Sequence, residues 1–200
     1  MLKKLLMVST ATLIATSNAQ ATNGIFIGLE SGVSTFSNLP SAESVGANSL
    51  DTNLTPALRI GVGYNHDLTS YLGLGMNIAV GQYGEAVYHF DDGGSDTVKA
   101  QTVEFFAQIT AHIKKFDVIA KVGGVRQKTE VTGTNAPSED HYNNPAAGIE
   151  LAYNFSPRFA ITGTYQHVKG RNPESIQDIP DKSVPINEYL LGLRYTFASS

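Results

Sequence analysis

Hydrophobic and polar residues alternate one for one along most of this chain. In LTPALRIGVGYN, Leu54, Pro56, Leu58, Ile60, Val62 and Tyr64 share one parity, while Thr55, Ala57, Arg59, Gly61, Gly63 and Asn65 share the other. This is the period of a β-strand with one apolar face. Seven further stretches repeat it. GIFIGLESGVSTF (24–36) sets Ile25, Ile27, Leu29 and Val33 against Gly28, Glu30, Gly32 and Ser34, and YLGLGMNIAVGQY (71–83) sets Leu72, Leu74, Met76, Ile78 and Val80 against Gly73, Gly75, Asn77, Ala79 and Gly81. From about Thr97 to Ile113, Val103, Phe105, Ala107 and Ile109 oppose Thr102, Glu104, Gln108, Thr110 and His112. From Phe116 to Gly123, Asp117 and Lys121 take the polar parity; from Ala147 to Phe155, Glu150 and Asn154 do. Arg158, Thr162, Thr164 and Gln166 form the polar side of the seventh stretch, and Glu188, Gly192, Arg194 and Thr196 that of INEYLLGLRYTF.

The connections alternate as well. HDLTS, KK and SP are tight joins, whereas SNLPSAESVGANSLDTN, DDGGSD, TGTNAPSEDHYNN and KGRNPESIQDIPDKS are loops rich in Gly, Pro, Asn and Ser. A two-sheet sandwich has no reason to shorten every other connection. A transmembrane barrel does, having short periplasmic turns and longer external loops. A soluble lipocalin-like barrel is the nearest rival, with its apolar parity turned inward and its polar parity outward. Two features favour the membrane. Aromatic residues gather near the short turns (Tyr64, Tyr71, Phe116, Tyr153, Phe155, Phe159, Tyr195, Phe197) and toward the long loops (Phe36, Tyr83, Tyr88, Phe90, Tyr165), as two interfacial girdles require. Glycine recurs on the polar parity, where a narrow eight-strand lumen needs room for its larger side chains. The expected fold is an eight-stranded antiparallel up-and-down transmembrane β-barrel with four longer extracellular loops.

The N-terminus fits export. Lys3 and Lys4 precede the apolar run Leu5–Ala15 and an A-x-A site at Ala19–Ala21, the three parts of a signal peptide. Residues 1–21 are therefore expected to be cleaved, leaving 22–200 as the barrel domain. Without Lys3 and Lys4 the 14 basic residues fall to 12 against 18 acidic, so the formal net charge moves from −4 to −6. Nucleic acid is not an expected partner for so acidic a chain. The sequence has no cysteine, so disulfides do not stabilise it. No later stretch approaches the roughly 18 consecutive apolar residues of a membrane helix.

RIGVGYNHDLTSYLGLG, AGIELAYNFSPRFAITGTYQHV and the ending EYLLGLRYTF resemble the barrel domains of the OmpA and opacity-protein superfamily of bacterial outer-membrane proteins. The resemblance implies insertion by the outer-membrane assembly machinery, residence among outer-membrane lipid and lipopolysaccharide, and exposed variable loops. Ala198, Ser199 and Ser200 follow the aromatic residue on which such chains usually end, and no peptidoglycan-binding domain is expected after Phe197.

Candidate chemistry lies on the polar parity: Glu30, Arg59, Glu104, Asp117, Lys121, Glu150, Glu188 and Arg194. Charges in a narrow lumen are retained when paired and hydrogen-bonded, so these eight are expected to form a structural network, with a gated polar path as the alternative. A lipid A modifying enzyme would need a histidine beside a nucleophile near the lipid face. His167 has the right parity, yet Lys169 stands where a deacylase serine would be, and His141 in SEDHYNN has acidic neighbours and equally suits a solvated loop tip. Asp91, Asp92 and Asp96 lack calcium-loop spacing. No catalytic residue, cofactor or metal is expected. The remaining surface is the loops, whose Glu43, Asp51, Glu139, Asp140, Glu174 and Asp178 keep them solvated and which suit contact with host surface ligands. The expectation is a monomeric outer-membrane scaffold for surface recognition.

Overall fold

The computed structural model describes residues 23–51, 54–91, 93–133, 138–170 and 183–197. The signal segment 1–21, Asp92, Glu174, Asp178 and Ala198–Ser200 lie outside them. The strands are β1 (Gly24–Phe36), β2 (Ser49–Asp51), β3 (Thr55–Thr69), β4 (Leu72–His89), β5 (Ser95–Ile113), β6 (Phe116–Gly133), β7 (Ser138–Asn154), β8 (Phe159–Val168) and β9 (Ile186–Thr196), with a short 3-10 turn at Glu43–Val45. Successive strands from β3 to β9 pair antiparallel. β1 pairs with β3 on one side and β9 on the other, from Phe26↔Thr196 to Phe36↔Ile186. Eight strands thus close a ring without an edge, the arrangement a sheet must adopt where no water can satisfy its backbone. β2 is extra: it pairs with the far end of β4, Leu50 opposite Tyr88.

Through the lower two thirds of the ring, the outward parity is apolar. Leu29, Val62, Ile78, Phe105, Ile109, Leu151 and Leu191 are all at least half exposed, which is costly in water and favourable in hydrocarbon. The eight ionised residues of the other parity point inward, none more than 9% exposed. Tight turns close the lower end at Ser70–Tyr71 and at Lys114–Lys115, where Lys114 adopts φ 57°. Around these turns the aromatic rings touch one another: Phe116 with Tyr153 at 5.1 Å, Phe159 with Tyr195 at 4.8 Å and Tyr195 with Phe197 at 4.9 Å. They form the periplasmic girdle.

The external end differs from the sequence reading in three ways. TGTNAPSEDHYNN is mostly paired strand, since β6 and β7 stay in register up to Glu130↔Glu139 and Val131↔Ser138. From Val103 at the top of the apolar band to Ser95, β5 climbs about 20 Å at ordinary strand rise and barrel tilt. Polarity inverts along this wall. Outward positions become Glu85, Lys99, Glu130 and Glu139, while Tyr88, Ala86, Val98 and Val131 pack inside with Ala47 and Val184. Above the lipid the outer face meets water, so the apolar parity turns inward as in any soluble sheet.

Second, Tyr83 and Tyr88 are not girdle residues. Both are buried in the lumen. Pairing jumps from Tyr83↔Ala100 to Glu85↔Lys99, leaving Gly84 as a β-bulge that resets the parity of β4 and brings Tyr88 inward. Phe36 and Phe90 are also partly buried against inner apolar clusters. Tyr165 alone of the five keeps an exposed ring, tilted against that of Tyr189 with centroids 5.2 Å apart.

Third, the external mouth is filled. Residues 37–51 fold back over it: Tyr88 donates to the Pro40 carbonyl at 3.0 Å, and Asn48 N donates to the His89 carbonyl at 2.7 Å. Ser183 and Val184 tuck inside the ring, where Gln127 Nε2 donates to the Val184 carbonyl at 3.2 Å and Ser183 donates to Asn144 at 2.8 Å. Pro185 O accepts from Ser37 N at 3.0 Å, joining the two capping segments.

Gly84 carries the bulge with φ +59°, and a Cβ there would meet the Phe36 ring at 2.8 Å. Gly84→Val should therefore destabilise the barrel by about 1–3 kcal/mol, the range for a strained backbone position. Urea unfolding of the heat-modifiable folded band in micelles measures it. An unchanged midpoint would contradict a bulge that depends on glycine.

Candidate functional site

The lumen holds two layers of charge. In the upper layer, Arg59 on β3 stands opposite its register partner Glu30 on β1. Its Nε donates to Glu30 Oε2 at 2.6 Å, and its Nη2 lies 2.5 Å from the same oxygen. Nη1 reaches across the barrel to Gln166 Oε1 at 2.7 Å, Glu104 Oε2 at 3.4 Å and Glu188 Oε2 at 3.7 Å. The carboxylates collect further donors. Thr164 donates to Glu30 at 2.6 Å, while Tyr83 and Thr102 donate to Glu104 at 2.6 and 2.9 Å. One guanidinium, 2% exposed, thereby ties together side chains from six strands. Three carboxylates surround it, and neither Glu188 oxygen accepts a hydrogen bond.

Glycine makes this layer possible by leaving space. A Cβ at position 192 would meet Glu30 Cγ at 2.4 Å, and one at position 81 the Tyr83 ring at 2.3 Å.

The lower layer is built on Glu150 and Asp117. Lys121 pairs with Glu150 across the β6–β7 ladder. Arg194 on β9 bridges the two acids, Nη1 to Glu150 Oε1 at 3.3 Å and Nη2 to Asp117 Oδ2 at 3.1 Å, with its guanidinium 5.6 Å from the Phe26 ring centre. Asn154 adds a donor to Asp117 at 2.8 Å. His112 closes the layer, Nδ1 at 2.8 Å from Asp117 and Nε2 at 3.2 Å from Asp67. Asp67 was hidden in the turn string HDLTS, although it continues the inward parity of Gly63 and Asn65. Between the layers, Asn77 and Thr162 line a small polar cavity with Glu30, Lys121, Glu150 and Arg194.

The eight ionised residues singled out by parity thus fall into Glu30, Arg59, Glu104 and Glu188 above, and Asp117, Lys121, Glu150 and Arg194 below. Partners from neutral residues, Gln166 and Tyr83 above all, escaped a search confined to charge.

The remaining candidates are scattered. His167 faces outward with Nδ1 2.8 Å from Asn187 Oδ1, and its partners across the ladders are Ala147 and Asn187, neither a nucleophile. His141 lies in the outer wall, 3.6 Å from Glu139. Asp91 accepts from Asn48 at 2.5 Å at the tip of the β4–β5 turn, whereas Asp96 is buried inside over Gly133. These two aspartates face different surroundings, and no cluster of three or more His, Asp or Glu side chains placed to hold a metal ion occurs among the described residues. Asp51 pairs with His89 at 3.3 Å; Glu43, Glu139 and Asp140 are also at the external end.

No curated protein sequence matches the chain. Among solved structures, it resembles Ail, the attachment invasion locus protein of Yersinia pestis, with a TM-score of 0.57 at 15% identity over 88% of this chain and 99% of that one. It is similar to Neisserial surface protein A (TM-score 0.57, 12% identity, 88% and 98% covered) and to the N-terminal β-barrel domain of Pseudomonas aeruginosa OprF (TM-score 0.55, 13% identity, 89% and 100% covered). These likenesses establish the fold. The family model for the outer membrane protein beta-barrel domain matches residues 5–197, and the chain is accordingly a member of that family, resident in the cell outer membrane.

Proposed function

We propose that this barrel displays a recognition surface at its external end and has no catalytic role. The observation that carries the reading is the wall of β4–β7, which continues as a paired sheet far beyond the lipid band. Its inner face is packed and its outer face is charged. A loop that only shielded the membrane would not require a packed apolar interior. A scaffold that holds ligand-binding groups rigidly does. The likeness to Ail adds support, since a structure of that protein is in complex with the heparin analogue sucrose octasulfate (13% identity, TM-score 0.55). Adhesion to host surface ligands is the form of recognition this favours.

The same reading makes the lumen a structural plug. Arg59 and its partners cross the barrel, and residues 37–51 and 183–185 cover its mouth, so the packing favours a solid core over a conducting path. Pairing offsets the desolvation of these charges only while both partners remain. The chain reaches the membrane after loss of residues 1–21, and it acts as a monomer within the lipid band, where the closed ring leaves no unpaired strand edge to offer a second copy.

Arg59→Met would strand three buried carboxylates and should cost about 3–5 kcal/mol, the range for breaking a buried pair. Lys99→Met, in an exposed pair with Glu85 at 3.6 Å, should change stability by no more than about 0.5 kcal/mol. Equal urea midpoints for the two variants would remove the plug from the argument.

Adhesion tests the main reading. Bacteria displaying the native barrel should bind host cells or sulfated glycans above an empty-vector control. A variant with 84–99 and 129–140 replaced by tight turns, matched for surface amount and heat-modifiable mobility, should fall to control. If native cells bind no better than control, recognition of these ligands is lost as the function. Steady single-channel current from the native protein would then favour the pore.

A further inference from the structure

At the height where the apolar band ends, most outward positions are neutral. Gln82, Gln101, Asn143 and Asn187 occupy it, each facing outward just above an apolar residue of its own strand. β6 breaks this rule with two cations on successive outward positions. Arg126 lies on the rung of Val103 and Asn143, and Lys128 on the rung of Gln101 and His141. Outward neighbours on a strand lie about 7 Å apart, and directly opposed pairs about 5 Å. Arg126 and Lys128 therefore form one cationic corner, with the His141 imidazole beside it.

Below and beside it runs a groove on the outside of the barrel. Leu58, Ile60, Val80 and Val103 floor it, and Arg126, Lys128 and His141 edge it. The floor residues are roughly half exposed and continuous with the lipid-facing band. The charges on the corner are incompletely used. Among the described residues Arg126 has no hydrogen-bond or ion-pair partner, and Lys128 shares one ammonium between Glu139 at 2.9 Å and Glu130 at 3.9 Å. Those acids stand one rung higher, toward water.

A ligand matching this arrangement carries anionic oxygens at the level of the corner and acyl chains running down the groove. A guanidinium offers forked donors suited to phosphate, and an adjacent ammonium adds a point charge. Long basic side chains at a membrane boundary reach their polar heads toward the headgroup layer while their stems lie on the apolar surface. Every feature of the corner is on the lipid side of the sheet, so the occupant comes from the bilayer. We infer that Arg126, Lys128 and His141 bind the phosphorylated headgroup of an outer-leaflet lipid whose acyl chains lie along Leu58, Ile60, Val80 and Val103. The site lies below the recognition surface, whose Glu130 and Glu139 it touches through Lys128, and on the opposite face of the sheet from the lumen.

Native mass spectrometry of the whole barrel released from detergent micelles tests this. The probes are bisphosphorylated lipid A, the same lipid A without its phosphates, and inorganic phosphate. The native protein should retain bisphosphorylated lipid A. Arg126→Gln with Lys128→Gln should reduce the bound fraction about tenfold, as expected for losing two charge-assisted contacts. Arg126→Lys with Lys128→Arg should retain most of it, and Lys114→Gln, at a periplasmic turn, should behave as native. Equal retention of dephosphorylated lipid A would reduce the site to apolar contact. Displacement of lipid A by equimolar inorganic phosphate would make it a free-anion site. Undiminished binding by the double glutamine variant would overturn the assignment. The lipid comparison uses the native chain alone, so the test holds even if a variant fails to fold.

Discussion

In hydrocarbon every backbone amide must find its partner within the protein, and a sheet meets that demand only by closing on itself. Much of the rest of this molecule follows from the closure of β1 on β9. Eight strands make a ring too narrow to hold water freely, so its interior must be filled by side chains. Because the outer face is given over to apolar residues, the filling has to be polar. Polar filling without solvent must satisfy itself, which is why Arg59 and Arg194 each serve several acids and why Gly81 and Gly192 stand where any side chain would collide.

The same sheet obeys opposite rules above the lipid. Along β5, inward positions change from Glu104 and Thr102 to Ala100 and Val98, while outward ones change from Phe105 and Val103 to Gln101 and Lys99. No bulge interrupts this strand between Thr97 and Ile113 in its pairing with β6. The solvent outside has changed and the geometry has not. An external wall with a packed interior is therefore a soluble sheet grown on a membrane barrel, sharing one continuous ladder. Rigidity passes upward from the lipid band into the part that meets the outside.

Much of this was legible from alternation. β1 runs from Gly24 to Phe36 as its pattern indicates, and the tight joins at Lys114–Lys115 and Ser156–Pro157 separate the strands that their positions suggest. What alternation could not carry was a change of rule midway along a strand. Val98 and Val131 lie on the parity that holds Glu104 and Lys121 lower down, and TGTNAPSEDHYNN has the composition of a loop although most of it pairs. The bulge at Gly84 was illegible for a different reason. Glycine is frequent throughout these strands as a space-maker, and one with positive φ has no separate signature. Parity assigned the ionised residues to one face, whereas sorting them into two layers required register, and the neutral partners Gln166, Tyr83 and Asn154 are set by packing across the lumen.

Height along the barrel axis therefore divides the labour. Within the lipid band a substitution on the inner face removes a charge or hydrogen bond that nothing else can replace, and one on the outer face exposes polarity to hydrocarbon. Both are expensive. In the wall above, outward residues such as Glu85, Lys99, Glu130 and Glu139 meet water, and their ion pairs, Glu85 with Lys99 and both Glu130 and Glu139 with Lys128 below, are exposed and contribute little to stability. Those positions are free to vary. The chain places its constrained residues in a closed and filled cylinder and its unconstrained ones at the external end.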